Sequence, residues 1–143
     1  MIDRLNKKGL NMKAIKGLLI LLLAVSMNGV MADDRGVDFV DLKDGDVVAS
    51  PFKVKFAVTG MTVATAGDTS INTGHHHLLI NAEGIAAGQI VPADERHIHF
   101  GKGQTETLVT LPSGQYTLTL QFANGLHQSY GEVMRKSIHV TVK

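Results

Sequence analysis

Phe52-Lys53-Val54-Lys55-Phe56-Ala57-Val58 places an apolar residue at every even position, with Lys53, Lys55 and Ala57 between them. A period of two marks an extended strand with one face buried and one in water, because successive side chains leave opposite faces. The same alternation recurs twice. Tyr116, Leu118, Leu120 and Phe122 are separated by Thr117, Thr119 and Gln121, and Ile138, Val140 and Val142 by His139 and Thr141. Turn residues punctuate the runs at Asp44-Gly45, Pro112-Ser113-Gly114 and Asn124-Gly125. From Val37 onward no segment carries the apolar period of an amphipathic helix. The chain therefore reads as all-β, and short strands at this spacing predict an immunoglobulin-like antiparallel β-sandwich. Two irregular stretches, Met61 to Thr73 and Asn81 to Arg96, are expected to be loops at the edge of a site, since a rigid β scaffold often carries function on its loops.

The N-terminus has a different character. Arg4, Lys7, Lys8, Lys13 and Lys16 precede the apolar run Leu18 to Val25, and Val30-Met31-Ala32 then offers small residues at the last and third-last positions. This is the pattern of a secretory signal peptide over residues 1–32, with cleavage after Ala32. The apolar core is short for a membrane span, so no stable span is expected after cleavage. Translation can begin at Met1 or at Met12, because Met12-Lys13-Ala14-Ile15-Lys16 already supplies a positive region. Residues 33–143 then form a single β-sandwich domain located in the periplasm or secreted.

Removing the leader reverses the electrostatics. The full chain has 14 basic and 13 acidic residues, but the leader takes five of the bases and one acid, leaving nine against twelve. The apparent basicity belongs to the leader, and no nucleic-acid partner is expected. The chain has no cysteine. That excludes thiol catalysis, iron–sulfur clusters, c-type haem attachment and every Cys-ligated zinc or copper site.

What remains is nitrogen chemistry. Gly74-His75-His76-His77-Leu78-Leu79-Ile80 and His97-Ile98-His99-Phe100-Gly101-Lys102-Gly103 hold five of the seven histidines. On a strand, His75 and His77 share one face, and His76 joins Leu78 and Ile80 on the other. Ile98 and Phe100 should face the core, so His97 and His99 face away from it. A His-x-His pair stands about 6–7 Å apart at the backbone, within reach of one ion. If the two strands are neighbours, His75, His77, His97 and His99 make a metal site, with copper or zinc the ions that imidazole suits. His127, after the Asn124-Gly125 turn, is an additional candidate ligand, and Glu106 a candidate acceptor that orients an imidazole. His139 is expected on the surface.

Other readings compete. The histidines can form a hydrogen-bonded network with backbone carbonyls and with Asp94, Glu95 or Glu106. In that case the domain is a non-metal interaction module that holds an envelope protein, a small ligand or an anion, with Lys102 and Gln104 as contacts. Gly101-Lys102-Gly103 is not a phosphate loop, since its lysine lies between the glycines and a strand follows; a hairpin turn is the plainer reading. Asp38, Asp41, Asp44 and Asp46 lack the spacing of a calcium loop. A third reading, a metal-dependent enzyme, would need an open metal position with Glu106 or a histidine moving protons.

Taken together, Ser50-Pro51-Phe52, Gly60-Met61, the two histidine motifs, Gln104-Thr105-Glu106, Leu111-Pro112-Ser113-Gly114 and His127 resemble the bacterial exported domain-of-unknown-function family 4399. The resemblance spans Val37 to Val142 and implies a small periplasmic all-β domain without assigning an activity. The chain departs from it at Asn81, where members carry Asp, and at Ser113 and Gln128-Ser129, where they carry proline. These are turn positions, and the histidine motifs are intact.

Overall fold

The period-two run at Phe52 becomes the strand it predicts, and it sits in a two-sheet sandwich. The computed structural model describes residues 32–143, so the leader expected over residues 1–32 lies, but for Ala32, outside the described residues. The strands are β1 (Gly36–Phe39), β2 (Asp46–Val48), β3 (Phe52–Thr59), β4 (Thr62–Val63), β5 (Thr73–Ile80), β6 (His97–His99), β7 (Glu106–Val109), β8 (Gly114–Ala123) and β9 (Arg135–Val142). A 3-10 turn, Glu132–Met134, leads into β9. One sheet has the order β1-β3-β7; the other runs β2-β9-β8-β5, with β4 and β6 both along the far side of β5.

Phe52, Val54 and Phe56 of β3 are buried against Leu78, Ile80, Leu118, Leu120, Phe122 and Ile138 of the larger sheet. This is the face-to-face burial that alternating strands require. The pairing is mostly antiparallel, as expected, but β2 lies parallel to β9 and β4 parallel to β5. Both exceptions are two- or three-residue strands at the sheet margins, where a returning loop, and not a hairpin, delivers the chain.

The larger sheet is buried on both faces, which alternation alone does not predict. Leu79 and Gln121 have no exposure and Thr119 only 2%, although all three point away from the core between the sheets. Two segments cover this outer face: residues 81–96 after β5, and residues 124–134 after β8. Gln121 ties both to the sheet. Its side-chain oxygen accepts from the Ile85 N–H at 3.1 Å, and its amide nitrogen donates to the carbonyls of Gly131 at 3.0 Å and Met134 at 3.3 Å. Ser129 joins the two segments to each other, donating through Oγ to the Ile85 carbonyl at 2.9 Å. Thr119 is satisfied by Ser137 of β9 at 2.7 Å.

Because Gln121 is buried and fully engaged, Gln121→Leu would leave a buried N–H and two carbonyls without a partner. The expected cost is about 2 kcal/mol, seen as a lower urea midpoint at unchanged slope. A change below about 0.5 kcal/mol would show that the cover is held by other contacts.

Candidate metal centre

Strand parity and register together bring the histidines to one place. Residues directly opposite in an antiparallel pair share a face. His77 lies opposite Gln121 of β8 on one side and His99 of β6 on the other, so all three project from the covered outer face. His75 is two residues back on the same face, opposite Ala123. His76 points inward, as its parity predicts, and its ring packs on Phe56 and Phe122 at centroid distances of 5.2 and 4.9 Å.

His127 comes from the loop after β8. Asn124 organises that loop by accepting the N–H groups of Leu126 and Gln128 on its side-chain oxygen, each at 2.9 Å. The His127 carbonyl accepts from Val91 at 2.9 Å, and His127 itself has φ of 63°. A left-handed histidine is uncommon, and it is held here from both sides. Two glycines make room. A Cβ on Gly101 would strike the His99 ring, and one on Gly125 would strike the Asp68 carbonyl of the loop that docks beside it.

One nitrogen from each of His75, His77, His99 and His127 falls within 4.8 Å of the others. His99 Nε2 and His127 Nε2 are 3.1 Å apart. A tetrahedron with metal–nitrogen bonds of about 2.0–2.1 Å has nitrogen–nitrogen edges of about 3.3–3.4 Å. One pair is already that close, and the widest must close by only about 1.4 Å to reach the same edge. His75 and His77 are buried, His127 is half-buried and His99 is exposed, so the group opens to solvent on one side.

Burial drives the chemistry of these rings. It pushes His75 down to about 4, helped by the charges His99 and His127 would carry, and His77 to about 3; His99 is also lowered, by burial and then by His127. The neutral imidazole is the form that ligates. Among the described residues, neither nitrogen of His75 nor Nδ1 of His77 has a hydrogen-bond partner, and the inward-facing His76 has none either. Buried polar atoms are seldom left so. The other histidines on β6 and β9 differ: His97 Nδ1 bonds Asp94 at 2.7 Å and His139 Nδ1 bonds Asp44 at 2.8 Å.

Of the four residues expected at the site, the structure brings together His75, His77 and His99, and sets His97 apart. Parity puts His97 on the right face, but its partner across the ladder is Leu79, so it stands one row beyond the cluster, buried and held by Asp94. His127 takes the fourth place. Glu106 lies on β7 in the other sheet, ion-paired with Lys53 at 3.3 Å. Lys102 and Gln104 form a turn in which the Lys102 N–H donates to Gln104 Oε1 at 2.9 Å. His139 is exposed.

A family model described as Domain of unknown function (DUF4399) matches residues 54–143. The chain belongs to this family. No curated protein and no solved structure matches it. The DUF4399 match runs from within β3 to the end of the chain and so includes every histidine of the cluster.

His75, His76 and His77 bind protons far more weakly in the folded DUF4399 domain, where burial holds them at about 4, 4 and 3, than in an unfolded chain near the ordinary 6.5. Below pH 6.5 the unfolded state therefore takes up more protons, and stability falls with pH until the folded values are reached; above 6.5 these groups contribute no slope. The melting temperature is expected to drop steeply between pH 6 and 4. His76→Leu removes one such group without touching the cluster and should flatten the descent; an unchanged slope would mean that His76 protonates in the folded state at its ordinary value.

Proposed function

We propose that this DUF4399 domain is an exported binding module whose cluster, His75, His77, His99 and His127, takes a transition metal, copper or zinc. The observation that carries this is the convergence of four imidazole nitrogens within 4.8 Å while both nitrogens of the buried His75 are left without a partner. The rival reading, a hydrogen-bonded network, accounts for the His99–His127 contact at 3.1 Å but leaves both nitrogens of His75 unserved. Imidazole is a donor for zinc, copper and nickel, and the chain offers no thiolate to compete. The signal-peptide pattern of residues 1–32 supports a periplasmic or secreted setting.

Calorimetry on the untagged mature domain in a non-chelating buffer tests the reading. His99→Ala/His127→Ala is expected to weaken binding of the preferred ion by at least 100-fold, whereas His97→Ala stays within about threefold, because His97 is engaged by Asp94 away from the cluster. A wild-type domain that binds no tighter than the double variant would refute metal binding.

Proton competition supplies a second check. Burial keeps His75 and His77 neutral down to about 4 and 3, so between pH 7 and 5 protons do not compete with the ion for these two rings. On a logarithmic scale the affinity should fall by no more than about half of what four ordinary imidazoles would lose. A fall as steep as four free imidazoles would place the ion outside the buried pair.

A further inference from the structure

Resting on that metal-binding reading, we propose that the cluster selects its cation by charge, and takes copper(I) in preference to zinc or copper(II). The ligand group contains four imidazoles and no carboxylate. This is not for want of acids near histidines elsewhere in the fold: His97 and His139 each hold an aspartate through Nδ1. Within the cluster, unlike at His97 and His139, His75 has no acceptor on either ring nitrogen and His77 none on Nδ1, among the described residues; the core residue His76 shares that lack but points to the other face, away from the cluster. Metal-bound histidines usually pass their second N–H to a carboxylate or carbonyl, which raises ligand basicity and offsets the charge of the ion.

A cation held here keeps its full formal charge beside two buried rings. The cost of removing an ion from water grows with the square of its charge, so a dication bears roughly four times the penalty of a monocation of similar size. Copper is within the range of imidazole ligation. Copper(I) and zinc are both closed-shell ions without a geometric demand from d electrons, so their comparison turns on charge and softness and not on ligand field.

Charge and softness are separable at Ala66. Its Cβ lies 3.2 Å from where a side chain on Gly101 would begin, a point that itself abuts the His99 ring. Ala66→Asp adds a negative charge beside the cluster while all four ligands stay; Ala66→Asn has the same shape without the charge. Competition titrations under anaerobic conditions on the mature domain should give a copper(I) dissociation constant at least tenfold below those of copper(II) and zinc. Between the two copper states, each tenfold raises the potential of the bound couple over that of the aqueous ion by 59 mV. Ala66→Asp should lower the copper(I)-to-zinc preference at least tenfold, with Ala66→Asn within about threefold of wild type. A wild-type domain that binds zinc or copper(II) more tightly overturns the proposal and leaves metal binding standing. Equal ratios in wild type, Asp and Asn variants overturn charge as the cause. No binding of any of the three ions removes both this proposal and the function it rests on.

Discussion

Burial of β5 on both faces is the constraint from which the site follows. A strand in a two-layer sandwich normally gives one face to the core and one to water. Here the second face is roofed by residues 81–96 and 124–134, and the roof is fastened to the sheet through the amide of Gln121. The three consecutive histidines of this strand all meet dry surroundings. His76 enters an aromatic setting between Phe56 and Phe122, and His75 and His77 enter the space beneath the roof. Without the roof the outer pair would be a solvated His-x-His with ordinary proton affinity.

The roof also delivers the fourth ring. The segment that covers Gln121 begins with the loop that Asn124 braces, and that loop carries His127 in a left-handed conformation. Its hold on Val91 links it to the other covering segment. One arrangement therefore buries the outer face, restricts solvent to the His99 side and fixes where His127 stands. Positioning by packing and backbone bonds leaves His127 Nε2 to face His99 Nε2 at 3.1 Å, whereas positioning through a carboxylate, as at His97, occupies a ring nitrogen with an acid.

Most of the fold was legible because period-two alternation survives wherever a strand has unlike faces: Phe52, Val54 and Phe56 against Lys53 and Lys55 is the clearest case. Parity also separated His76 from His75 and His77. It could not rank His97 against His127, because parity gives the face of a residue and not its row. Rows depend on register, and the register that sets His99 opposite His77 necessarily sets His97 opposite Leu79. Asp94, three residues before His97, was the local sign of a different role. Gln121 and Thr119 have the alternation of a wet face, and only the covering segments, distant in sequence, make that face dry.

The unpartnered nitrogens then acquire a thermodynamic meaning. Left without ligands, buried imidazoles disfavour the folded state in two ways, through missing hydrogen bonds at any pH and through proton uptake by the unfolded chain below pH 6.5. A ligand that binds only the folded cluster stabilises it in proportion to the logarithm of its concentration over its dissociation constant. Acid sensitivity and ligand affinity are thus linked consequences of burying His75 and His77. A carboxylate beside each ring would relieve the first. Aspartates stand at His97 and His139 and not in the four-histidine group, so burial of His75 and His77 is not offset by a carboxylate partner.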